Sequence, residues 1–417
     1  MNNKKGNVFA IAICFFLFAM ISFVTGLQNP MGIIAKAQFG ATNLMSQLGN
    51  AANFIAYAFM GLPAGFLLKG KGYKFSALAA VTVGFVGVGI SYLSGVFGSY
   101  AIYLLGAFVS GFSMCMLNTV VNPMLNTLAG GGNKGNQLIQ FAGSLNSLSA
   151  TIVPVLAGYL IGEVTEKTQV ADVNPALFIA MGIFALAFVI IFFSYIPEPE
   201  LEAAAAAPAV EKESTMASIK GALSYRNLVF GVIAIFLYVG IEVGVPNVAN
   251  LYMTSADGLG MAAGVAGTLV GAYWFLMLIG RLIGGVLGGK VSSRAMIMAV
   301  SAAAIVFLIF GMFLPETLVI GMLGAQVPVS ILFIVLCGLC TSVMWGAIFN
   351  LAVEGLGKYT SIASGLFMVM VCGGGIVPLV QGLVADIAGY LPSYWVLVAS
   401  LAFIFWFGLS GSKVKKA

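Results

Sequence analysis

Long apolar runs, broken at intervals by short clusters of glycine, proline and charge, dominate the chain. A membrane-spanning helix needs about 20 apolar residues. Cutting the sequence at its charged or Gly/Pro-rich breaks predicts twelve of them: 8–34, 43–68, 75–97, 99–128, 136–162, 174–196, 226–253, 259–288, 294–314, 327–353, 360–386 and 390–411. Backbone groups in lipid have no water to bond, so the spans must be helices or a closed barrel, and unbroken runs of this length exclude short alternating strands. The fold class is an all-α membrane protein.

One long polar stretch, "PEPELEAAAAAPAVEKESTMASIKGALSYRN", divides the spans six and six. Its alanine-rich centre with Glu198, Glu200, Glu202, Glu211 and Glu213 cannot bury a core and reads as a partly helical linker. The division predicts an N-terminal six-helix bundle at 1–196, a cytoplasmic linker at 197–224 and a C-terminal six-helix bundle at 225–417. In each half the connection after the second span is basic and glycine-rich, "GLPAGFLLKGKGYKFSA" and "GRLIGGVLGGKVSSRAM". That recurrence points to an internal repeat whose small residues let helices approach closely. Lys69, Lys74 and Arg281 in these stretches are expected at cytoplasmic connections, as gating residues that hold helix C-termini.

Composition agrees, with 61% hydrophobic and 7% charged residues against about 25% charged in soluble domains. Nearly all the basic residues fall on one side of the predicted spans, with Lys36 and Lys167 on the other, so both termini are expected in the cytoplasm, and the membrane is read as a bacterial inner membrane. The basic, apolar start resembles a signal peptide but shows no small-residue cleavage site, so an uncleaved first helix is expected. The net charge of +5 then reflects topology and not nucleic-acid binding. All five cysteines lie in predicted spans, where "CGLC" reads as small packing residues. There is no histidine, no phosphate-cradling loop and no nucleophile beside a base, so no catalytic or metal site and no cofactor is expected.

Polar side chains inside the spans are costly unless they meet a partner or line a path. Gln28 and Asn29 precede Pro30 in the first span, and Asn118 and Asn122 precede Pro123 in the fourth. Gln140 and Asn146 lie in the fifth, and Asn247 follows Pro246 in the seventh. A proline frees a carbonyl one turn earlier, so amides there serve either a helix break or a ligand. Glu242 is the one acid well inside a predicted span and must be protonated, paired or bound to a cation. Trp274 and Trp345 offer flat apolar faces. Amides and aromatics together suit an uncharged polyhydroxylated ligand, and packing within the bundle is the competing explanation for any single one.

Several ordered segments, "FMGLPAGFLLKGKGYK", "NPMLNTLAG", "FAGSLNSL", "YVGIEVG", "GRLIGG" and "GGGIVPLVQGLVAD", resemble the fucose:proton symporter family of the major facilitator superfamily along nearly the whole chain. The resemblance implies alternating-access import of a monosaccharide, usually with protons, by a fold that needs no partner subunit to form its path. It also implies acids where this chain has Asn29 and Asn118. Asn122, Pro123, Asn146 and Glu242 are kept, while a family glutamine is Gly143. An amide cannot exchange a proton near neutral pH but can still hold a hydroxyl. The expected function is therefore a secondary transporter of a hexose, fucose or amino-sugar type solute, with coupling absent, moved to Glu242 or supplied by sodium. A carrier of another small polar solute and a transport-inactive sugar receptor are the alternatives.

Overall fold

The computed structural model describes residues 2–26, 43–161, 170–198, 201–202, 215–255 and 258–414. Its helices in chain order are α1 (Asn2–Gly26), α2 (Asn43–Phe97), α3 (Tyr100–Leu128), α4 (Gly132–Ile161), α5 (Asn174–Phe193), α6 (Thr215–Leu223), α7 (Arg226–Thr254), α8 (Ala263–Gly288) and α9 (Ser293–Phe313). They continue as α10 (Val329–Thr341), α11 (Met344–Val353), α12 (Thr360–Val369), α13 (Gly373–Ala388) and α14 (Trp395–Trp406). Ten helical stretches among the described residues are long and apolar enough to cross a membrane. The protein is thus a multi-pass helical membrane protein, as the apolar pattern predicts.

The predicted spans 43–68 and 75–97 join into one continuous run, α2, which breaks only at Gly72 with φ 78° and ψ −175°. A side chain there would be strained, and a Cβ would stand 2.3 Å from the Glu198 carboxylate. That carboxylate accepts the backbone N–H of Tyr73 and of Lys74, each at 2.7 Å, and so caps the helix restarting after the break. The predicted span 327–353 is interrupted after Thr341, giving α10 and α11. A hairpin absent from the sequence reading, β1 (Val319–Met322) paired antiparallel with β2 (Ala325–Pro328), precedes α10.

Contacts gather the chain into two compact units. The first holds Met1–Ala129, Leu145–Ala222 and Leu356–Val369, and the second Gly130–Ser144, Leu223–Gly355 and Met370–Ala417. Each therefore takes in a short helical piece from the other half of the sequence. In the first unit α12 lies almost backbone to backbone on α2: a Cβ on Gly61 would stand 2.5 Å from Val369 N, and one on Gly365 2.6 Å from Gly61 O. Gly61 and Gly65 are the small pair of "GLPAG", the spacing that lets membrane helices touch. In the second unit Gly284, Gly285 and Gly288 of α8 leave room for Val343, Phe141 and Gln137. This close fit holds the first turns of α4 against α8.

Candidate functional site

In the first unit the amides of α3 occupy its buried core. Asn118 is 8% exposed and donates from Nδ2 to Tyr57 Oη at 3.2 Å and to Met114 O at 3.1 Å. Asn122, one turn on, is fully buried and donates to Asn118 O at 2.8 Å. Pro123 has no N–H, so the Thr119 carbonyl loses its helical partner. The hydroxyl of Ser364 on α12 takes that position, donating to Thr119 O at 3.1 Å. Half-buried Asn146 donates to Phe18 O on α1 at 3.1 Å. Tyr57 and Ser364 are absent from the sequence reading. The signal for Ser364 was a proline in an apolar helix, which requires a donor for the carbonyl four residues before it.

The second unit holds an ion pair in the middle of its helices. Arg281 Nη2 of α8 lies 3.2 Å from Glu242 Oε1 of α7, with the two side chains 10% and 16% exposed. Two further guanidinium donors go to carbonyls, Nη1 to Gly143 O at 3.0 Å and Nε to Ser342 O at 3.4 Å. Ser342 sits at the α10–α11 interruption, where helical carbonyls lose their own donors. Gln140 donates to the next carbonyl, Val343 O, at 2.7 Å, where the N–H of Ala347 also donates at 3.3 Å. The same logic recurs at Pro246: it frees the Glu242 carbonyl, to which Tyr273 Oη donates at 3.2 Å while also bonding Thr341 Oγ1 at 3.1 Å. The ring of Trp345 meets Tyr238 edge to face at 6.3 Å, and Tyr238 lies one turn before Glu242 on the same face of α7.

This geometry sorts the expected site residues. Asn118, Asn122 and Asn146 belong to the first unit, whereas Glu242, Trp345 and Gln140 converge in the second. Trp274 is half-buried against Tyr273, ring centroids 5.3 Å apart. Asn247 stands apart, exposed on α7. Gln28 and Asn29 lie outside the described residues. The placement of Arg281 at a cytoplasmic connection is corrected: it lies seven residues inside the end of α8, about 10 Å along the axis, because its guanidinium neutralises Glu242 and caps two carbonyls. Lys69 and Lys74 flank the break of α2 at Gly72, where Lys69 Nζ bonds Ser218 Oγ of α6 at 2.5 Å and Lys74 Nζ bonds Ser194 O at 2.8 Å. Among the described residues no cluster of histidine, cysteine and acid forms a metal site.

Chemically, the first unit offers neutral donors and acceptors and the second offers a charge pair lined by aromatic rings. Comparison with known proteins gives three kinds of match. Residues 11–378 match the Major Facilitator Superfamily. A glucose/galactose transporter of Brucella abortus is 30% identical over 99% of this chain and 96% of its own length. The L-fucose-proton symporter of Escherichia coli is 25% identical over 97% of this chain and 95% of its own. Among solved structures, one of the Escherichia coli fucose:proton symporter superposes with a TM-score of 0.82 at 21% identity, covering 98% of this chain and 100% of the other. A proton:xylose symporter superposes with a TM-score of 0.77 at 11% identity, covering 99% and 97%.

Proposed function

The chain belongs to the Major Facilitator Superfamily, and we propose that it carries an uncharged monosaccharide across the membrane by alternating access. The observation that supports this most is end-to-end likeness, 30% identity over 99% of the chain, to a relative named for glucose and galactose transport. Within the second unit the Trp345–Tyr238 pair offers the apolar ring face that suits a sugar's C–H surface. The substrate is taken to be a hexose, fucose or amino sugar. The reading includes an inner-membrane location with both termini in the cytoplasm, supported by the one-sided basic residues and bacterial relatives, and function as a monomer.

The coupling group in this reading is Glu242. Asn118 carries an amide and takes no proton, while Glu242 is an acid in mid-helix with a cation beside it. Protonating Glu242 would cancel its charge and release Arg281, so the proton and the ion pair compete for one carboxylate. The test is counterflow and uptake of a labelled monosaccharide panel in proteoliposomes, with pH and sodium gradients imposed separately. Uptake should rise with an inward proton gradient, and Glu242→Gln should abolish that rise while leaving counterflow. Exchange of no monosaccharide would overturn the transport reading; uptake indifferent to both gradients would leave a sugar facilitator, and uptake that follows sodium alone would move the coupling from the proton to sodium.

A further inference from the structure

The connection after α9 is built unlike a water-facing loop. From Thr317 to Val353 the sequence carries no charge. Within it β1 and β2 pair from Val319↔Pro328 to Met322↔Ala325, leaving Leu323 and Gly324 as a two-residue turn. Both turn residues have positive φ, 55° and 72°. That turn geometry selects asparagine, aspartate or glycine in water, and a branched apolar side chain at its first position is strained. Leu323 is nevertheless 50% exposed, with Leu318, Val319 and Ile320 at 47%, 41% and 48%. A two-stranded ribbon is marginal in water, and soluble proteins protect such an edge with lysine or a bulge. This ribbon has neither.

Its base lies among aromatic rings at helix ends. Phe313 closes α9 and Trp395 opens α14; they meet edge to face at 6.4 Å and are 68% and 50% exposed. Tyr252 and Tyr390 lie 6.0 Å apart, and the Tyr252 hydroxyl donates to Glu316, fixing the chain that leads into β1. Aromatic rings at span ends mark the headgroup level. β2 passes directly into α10 at Val329, so the ribbon both leaves and re-enters the protein at the bilayer boundary. Its free edge N–H and C=O groups need water and keep it out of the hydrocarbon.

We propose that the Val319–Pro328 hairpin is a lipid-surface anchor: it lies at headgroup depth on the leaflet beside the end of α9 and inserts Ile320 and Leu323 toward the acyl chains. Exposed apolar side chains along α9, Val306, Ile309, Phe310 and Phe313, lead in sequence to those of the ribbon, and the absence of charge suits a lipid surface. An apolar leucine at the turn is then the residue that the surroundings select.

The test uses the full chain in phosphatidylcholine/phosphatidylglycerol nanodiscs, spin-labelled at Leu323→Cys. The unsubstituted chain, whose cysteines are buried or half-buried, gives the background. Lys71→Cys is the water reference and Leu186→Cys on α5 the apolar one. The ratio of oxygen to nickel-chelate collision should be several-fold higher at residue 323 than at residue 71. A label at Ile320→Cys should behave likewise, and should move toward the water value when Leu323→Asn, which suits the turn, is added. A ratio equal to that of residue 71 overturns the proposal. So does shielding from both reagents, which would place a protein on the hairpin.

Discussion

The guanidinium of Arg281 and the carboxylate of Glu242 face each other at 3.2 Å between α8 and α7, and the same guanidinium reaches α4 through Gly143 O. Removing one member of a buried pair strands the other, which costs about 3–5 kcal/mol in soluble proteins. Glu242→Gln and Arg281→Met are each expected to lower the melting temperature of the purified protein by several degrees. The double variant, with no stranded charge, should recover most of the loss. Melting curves that add simply across the two sites would show that the pair is not coupled.

The Ser364–Thr119 bond predicts a second cycle. Ser364→Ala leaves the carbonyl freed by Pro123 without a donor, at about 1–3 kcal/mol for a buried unsatisfied group. Pro123→Ala restores an N–H four residues after Thr119, so adding Ser364→Ala to it should cost distinctly less than in the unsubstituted chain. Equal costs in both backgrounds, read by thermal unfolding, would disconnect the hydroxyl from the proline.

Backbone contact between α2 and α12 leaves no space at Gly365. Gly365→Ala would place a Cβ 2.6 Å from Gly61 O, and neither backbone can retreat without parting the helices. Loss of most sugar uptake is expected, with protein still reaching the membrane. Gly182→Ala, where a Cβ meets nothing within 4 Å, is the matched control and should transport normally.

Glu198 acts as a remote cap. Glu198→Ala removes acceptors from the N–H groups of Tyr73 and Lys74, a loss of about 1 kcal/mol by analogy with helix caps. Faster hydrogen exchange of those two amides is the readout. Unaltered exchange would mean the helix start is held by other contacts.

Much of this was legible in the order of residues, for reasons that differ by element. Apolar run length gives the spans because lipid imposes it, and Gly61 and Gly65 announced a close helix contact through their spacing. Arg281 was misplaced because charge bias assigns basic residues to connections, although it already fell inside the predicted span 259–288 beside the need for a partner to Glu242. The Leu323 turn was illegible because its first position carries leucine where such turns usually have asparagine, aspartate or glycine. The amides of Gln140 and Asn146 were visible as polar positions, but which carbonyl each would cap depends on helices brought together from distant sequence.

Thr119 and Ser364 are 245 residues apart in the chain. A protein made from its N-terminus completes α3 long before α12 exists, so the carbonyl ahead of Pro123 spends that interval without its final donor in surroundings that supply few others. The bonding at the proline step of α3 is thus a property of the finished chain and not of the nascent one, and a helix made late supplies the donor that one made early lacks.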